Sequence, residues 1–102
     1  MNASTHNIKF NYLYRDAGNY KLFDSVIFTN KTAMSLEFIK LSIRSKLIDG
    51  EYFIPEKWNI PRLSFGDYSP ESDHDYHEFE SIEETDEQST AEDISDFLRR
   101  IR

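Results

Sequence analysis

The chain has 102 residues, 12 Lys and Arg against 19 Asp and Glu, a formal net charge of −7 and no cysteine. That length suits one small hydrophobic core, and an aromatic content of 15% argues against wholesale disorder. The missing Cys excludes a disulfide framework, thiolate metal sites and a Cys nucleophile. No apolar run reaches the roughly 18–20 residues that span a bilayer, and no signal-peptide h-region is visible, so a cytoplasmic domain with no membrane partner is expected.

The charge is segregated. Residues 1–66 carry nine basic and six acidic groups, residues 67–96 carry thirteen carboxylates and no Lys or Arg, and the last six residues add three arginines. One domain over 1–102 is expected, divided into a mildly basic βαβ core (1–66), an acidic strip or arm (67–90) and a C-terminal helix (90–102).

Ile8 to Tyr14 alternates as a strand, with Ile8, Phe10, Tyr12 and Tyr14 on one face and Lys9, Asn11 and Leu13 on the other. Arg15 to Asn19 is turn chemistry, and Lys21 to Thr29 reads as the second strand of an antiparallel hairpin. Ser35 is the expected N-cap of a helix running to about Leu47, with Leu36, Ile39, Ile43 and Leu47 as its apolar stripe. Asp49-Gly50 ends that helix, with Gly50 as the C′ residue. Glu51 to Ile54 and Arg62 to Phe65 are short strand candidates, held short or to an edge by Pro55, Pro61 and Pro70. Tyr76 to Glu83 alternates without a clean apolar face, which predicts an edge strand or extended arm. Residues 83–90 read as a linker or flexible loop. Thr90 to Asp93 resembles a capping box with Thr90 as the cap, opening a helix with Ile94, Phe97, Leu98 and Ile101 on one face. The expected fold is α+β: a small antiparallel sheet of about four or five strands with two amphipathic helices on one face.

Three constellations carry possible chemistry. Asp73-His74-Asp75-Tyr76-His77-Glu78-Phe79-Glu80 gathers imidazole and carboxylate ligands that suit a divalent metal at His74 and His77. His-x-x-His, however, brings both rings to one side only on a helix or turn, and in a strand they point apart. The plainer reading is a solvated acidic arm. Tyr12, Tyr14, Arg15, Tyr20 and Lys21 resemble a stacking platform for single-stranded nucleic acid, but the overall charge opposes a polyanion and tyrosines bridging core and surface account for the same residues. With Gly18, Gly50 and Gly66 as the only glycines, no phosphate loop can be built, and neither a nucleophile elbow nor another catalytic motif supports an enzymatic reading. The acidic strip itself either solubilises the protein or steers it to a basic partner.

The segments Tyr12 to Lys21, Leu47 to Phe53 and Asp73 to Glu80 resemble a family of small uncharacterised bacterial proteins, over most of residues 8–98. The resemblance implies a bacterial or phage origin and attaches no activity, cofactor or site residue.

The reading that unites these features is a non-enzymatic acidic interaction module, of the immunity, antitoxin or phage-defence inhibitor kind, docking on a basic protein. Its binding residues are Tyr68, Asp73, Asp75, Tyr76, Glu78, Phe79, Glu80, Glu83 and Glu84, with Tyr68, Tyr76 and Phe79 as aromatic anchors. No cofactor is required on this reading, direct nucleic-acid binding is disfavoured, and the apolar helix stripes are compatible with a homodimer. The alternative is a metal-binding protein or metal-dependent enzyme built on His74 and His77.

Overall fold

The computed structural model describes residues 6–64 and 76–101; Phe65, Tyr68, Asp73, His74 and Asp75, all named above, lie outside the described residues. The alternation seen in the sequence becomes strand β1, Asn7–Arg15, whose Ile8, Phe10, Tyr12 and Tyr14 are all buried. It pairs antiparallel with β2, Lys21–Phe28. The hairpin between them closes on Asp16, whose Oδ1 accepts the backbone N–H groups of Gly18 and Tyr20, each at 2.9 Å. Asn19 takes the left-handed conformation at φ 68°, a role to which a short polar side chain is suited.

Ser35 caps helix α1, Leu36–Arg44, by accepting the Phe38 N–H, and Ile39 and Ile43 face the core. The helix stops three residues short of Leu47. Its last turn tightens through Lys46 N–H to Ile43 O (2.9 Å) and Leu47 N–H to Arg44 O (3.3 Å), a common way to satisfy terminal carbonyls. Leu47 stays buried beyond the helix end. Gly50 is therefore no helix cap. Asp49 and Gly50, at φ 54° and 72°, form a tight reversal that returns the chain so that Ile48 pairs with Tyr52. Two successive positive φ values are the signature of the hairpin turn that Asp-Gly favours.

Strand β3, Tyr52–Phe53, lies within the expected Glu51 to Ile54 segment. Helix α2, Pro55–Trp58, follows directly. Proline at the start of a helix loses no hydrogen bond there and arrives with a helical φ. The short turn seats Trp58 in the core, stacked on Phe53 at 4.8 Å. Residues 62–64 form no strand; Pro61 precedes them, and Leu63 N–H is committed to the His77 ring.

Strand β4, His77–Thr85, corrects the edge-strand expectation. The sheet order is β2-β1-β4-β3, so β4 lies inside, antiparallel to both neighbours. Its pattern reads poorly because the ladder slips between Asn11 and Tyr12: Asn11 faces Ser81 while Tyr12 faces Phe79. Glu80 is the extra residue of a β-bulge. Beyond a bulge the alternation changes phase, so His77, Phe79 and Ile82 are all buried on an irregular spacing.

Helix α3, Ile94–Arg100, is capped by Asp93, not Thr90. Thr90 is occupied elsewhere: its hydroxyl accepts Ile27 N–H at 3.1 Å and its own N–H donates to Ile27 O at 2.9 Å. Residues 83–90 are correspondingly no free linker. The strand runs to Thr85, Lys9 Nζ holds Glu87 at 2.7 Å, and Ser89 donates to Ile27 O. The helices cover one sheet face, where Phe10 touches the rings of Tyr12, Phe53, Trp58, Phe79 and Phe97. That aromatic centre joins Ile8, Phe28, Ile39, Ile43, Ile82 and Ile94 in one core.

Candidate binding site

Among the described residues, the sheet face turned away from the helices carries Glu78, Ser81 and Glu83 of the acidic strip. Register places Lys9 opposite Glu83, Asn11 opposite Ser81 and Leu13 opposite Glu78. Three carboxylates, Glu78, Glu83 and Glu87, meet a β1 partner. Arg15 grips Glu78 with Nε at 2.8 Å and Nη2 at 3.2 Å, a two-pronged contact that fixes geometry as well as charge. Asn11 Nδ2 donates to Glu83 at 3.0 Å and Lys9 Nζ to Glu87 at 2.7 Å. The bond to Lys9, with help from Thr85, holds the Glu87 carboxyl below its usual range and in return raises the Lys9 ammonium. Lys9 and Arg15 of β1 are thus each paired with a carboxylate of the strip across the sheet. Glu80, on the bulge, and Glu84 are exposed and have no side-chain hydrogen bond or ion pair among the described residues.

At the end of the sheet formed by β3 and the start of β4 lies a hollow of about 340 Å³ lined by Ile48, Asp49, Tyr52 and Tyr76. Local structure builds it. The Asp49-Gly50 reversal is closed by Ile48 N–H to Tyr52 O at 2.7 Å and Tyr52 N–H to Ile48 O at 3.0 Å. Phe79 N–H donates to Glu51 O at 2.9 Å, extending the ladder onto β4. Tyr52 pairs with Glu78, and Tyr76, two residues earlier, projects to the same face by strand alternation. Their rings lie 6.3 Å apart at 56°. Tyr76 is 44% and Ile48 42% exposed, so the hollow opens to solvent. Its charged surroundings are Asp49, Glu51 and Glu78 against Arg15, whose guanidinium is spent on Glu78 and on Asn19 Oδ1 at 2.6 Å.

The structure separates the residues that the sequence grouped. Tyr76, Glu78, Glu80, Glu83 and Glu84 reach the surface. Phe79 does not; it is buried in the core beside Phe10 at 5.4 Å and cannot act as a docking anchor in the folded protein. His77 is fully buried among Tyr12, Tyr14 and Phe53, and its Nε2 accepts Leu63 N–H at 2.9 Å. A ring nitrogen that accepts this bond has no lone pair left for a metal. Among the described residues, no three His, Asp or Glu side chains gather as a ligand set. Tyr12, one of the tyrosines of the nucleic-acid alternative, is buried and donates its hydroxyl to Pro61 O at 2.7 Å; burial pushes that hydroxyl's pKa up. Tyr14 is buried as well. Tyr20 is exposed and has no ring contact among the described residues.

Ile48, Asp49 and Tyr52 were not among the expected site residues. The signal available for them was Asp-Gly flanked by apolar residues, a hairpin signature that the preceding helix stripe obscured. No helix among the described residues is long and apolar enough to cross a membrane. Comparison with protein-family models, with curated proteins and with solved structures finds no match for the chain.

Proposed function

We propose that the protein is an interaction module that docks on a basic partner and anchors it by one cationic side chain in the Tyr52–Tyr76 hollow. The observation that carries this is the hollow's make-up: two tilted tyrosine rings, an aliphatic wall from Ile48 and Asp49 in the lining. An ammonium or guanidinium on its apolar stem matches each part, with aromatic faces attracting the cation and the carboxylate pairing with it. Glu80 and Glu84 supply the uncompensated negative charge that steers such a partner, and their contribution is to the rate of encounter more than to the lifetime of the complex. A bound inhibitor of a basic protein, of the immunity or antitoxin type, is the setting this chemistry suits.

The test uses a fluorescently labelled peptide with one arginine among small neutral residues, compared with the same peptide carrying glutamate. Anisotropy should show salt-sensitive binding of the arginine peptide alone. Tyr76→Ala and Asp49→Asn should weaken it, whereas Phe38→Ala, at an exposed ring on helix α1 outside the lining of the hollow, should not. Equal binding of both peptides, or binding indifferent to Tyr76→Ala, overturns the assignment.

A further inference from the structure

A second surface, of opposite character, lies on the helical layer. Helix α1 has apolar residues on two faces: Ile39 and Ile43 are buried, while Phe38 and Leu41 are 55% and 58% exposed. At about 100° per residue, Phe38, Leu41, Ser42 and Ser45 share one sector, turned away from the core stripe. Beside that sector α1 and α3 leave a groove of about 340 Å³ between them. Met34, Phe38 and Leu98 supply its apolar lining, Ser42, Ser45 and Ser95 its small polar wall, and Lys46 and Arg99 its charged groups. Among the described residues, no carboxylate lines it. Asp96 stands outside the lining and pairs with Arg99 at 2.5 Å; Lys46 has no hydrogen bond or ion pair among the described residues.

We propose that this groove binds a short acidic amphipathic helix from a protein partner. In a chain of net charge −7, a partly apolar groove whose lining, among the described residues, carries two cations and no carboxylate, with Arg99 paired to Asp96 and Lys46 unpaired, is complementary to an anionic ligand with apolar anchors. Its shape selects a helix over a flat lipid surface. On the α1 side its lining runs from Phe38 to Lys46, about 12 Å at the helical rise. That length accommodates two or three turns of a partner helix, with anchors at i, i+3 or i+4 and i+7 and carboxylates flanking them. The serines permit close approach because they add little bulk. With the tyrosine hollow on the sheet side, the molecule presents two docking surfaces of opposite sign.

The experiment titrates the full chain into a labelled 14-residue peptide carrying leucine at i, i+3 and i+7 and glutamate elsewhere on its flanks. The controls are a scrambled peptide, a version with lysine for glutamate, and vesicles of anionic lipid. The acidic amphipathic peptide should bind, Phe38→Ala should weaken it at least tenfold without lowering the melting temperature, and Lys46→Glu should shift preference toward the lysine peptide. Because Phe38 is exposed, its truncation leaves the fold intact. Absence of saturation at about 1 mM peptide, equal binding of the scrambled peptide, or insensitivity to Phe38→Ala overturns the proposal. So does tighter binding to vesicles than to peptide, or concentration-dependent self-association that Phe38→Ala abolishes; those results assign the face to lipid or to a second copy. None of these outcomes depends on the tyrosine hollow, which Tyr76→Ala tests separately.

Discussion

Asp93 ties three parts of the molecule together, and its replacement offers a quantitative check on the fold. Its Oδ2 accepts Ser95 N–H at 3.1 Å and the Ser95 hydroxyl at 2.7 Å, capping α3. Its Oδ1 accepts the Thr29 hydroxyl and Lys31 N–H, both at 2.8 Å, clasping the end of β2. Partial burial pushes the carboxyl's pKa upward, but these four bonds to the anion outweigh it and hold the value down at about 2, against 3.8 for the unperturbed group. A carboxylate with a lowered folded-state pKa contributes stability that is fully present above the unfolded value and is lost as pH falls toward the folded one. The full shift corresponds to about 2.4 kcal/mol, and solvent screening of a partly exposed group reduces this to about 1 kcal/mol. About half of that contribution should be gone at pH 3, midway through the window. Asp93→Asn keeps an acceptor oxygen for the cap but removes the charge, so it should cost about 1 kcal/mol at pH 6 and clearly less at pH 3. Asp93→Ala also leaves the donors of Thr29, Lys31 and Ser95 without their acceptor and should cost about 2–3 kcal/mol at pH 6. Urea denaturation of the three proteins at both pH values gives the differences directly. An Asn penalty that stays constant from pH 6 to pH 3 would refute the role given to the charge.

Two further substitutions probe the core. Phe97→Ala removes a fully buried ring that lies 4.4 Å from Phe28 and 5.9 Å from Trp58; it should cost about 3–5 kcal/mol, a large share of the total for a domain this size, and a melting temperature lowered by only a degree or two would contradict the packing described. His77→Ala empties the space between Tyr12, Tyr14 and Phe53 and strips Leu63 N–H of its acceptor, for a loss of about 2–4 kcal/mol and faster amide exchange at Leu63. Chelator should leave the wild-type melting temperature unchanged, whereas a drop on chelation would restore His77 as a metal ligand.

Much of the architecture was legible along the chain because it rests on local rules. Alternation in Ile8 to Tyr14 marks a strand with one buried face, Asp16 to Asn19 carries turn chemistry, Ser35 is a cap, and Ile94, Phe97 and Ile101 form a helical stripe. Each follows from backbone sterics and the need to bury one apolar face, and the α+β class follows from their order. What the tertiary structure decided was every question of competition between sites. Thr90 has the side chain of a cap, but the open edge of β2 claims its hydroxyl and N–H, so Asp93 caps instead. Gly50 suits a helix end and a hairpin equally; the pairing of Ile48 with Tyr52 selects the hairpin. A bulge at Glu80 hides the buried face of β4, since one extra residue reverses the phase of the alternation and puts His77, Phe79 and Ile82 inward. The binding surfaces depend on the same kind of decision. Among the described residues, carboxylates that are neighbours in the acidic strip are divided by the fold into those that meet a partner, as Glu78, Glu83 and Glu87 meet Arg15, Asn11 and Lys9, and those, such as Glu80 and Glu84, that meet none. Tyr52 and Tyr76, twenty-four positions apart, share a hollow only because β3 pairs with β4. Charge and polarity are properties of residues, but which charges remain uncompensated is a property of their neighbours in space.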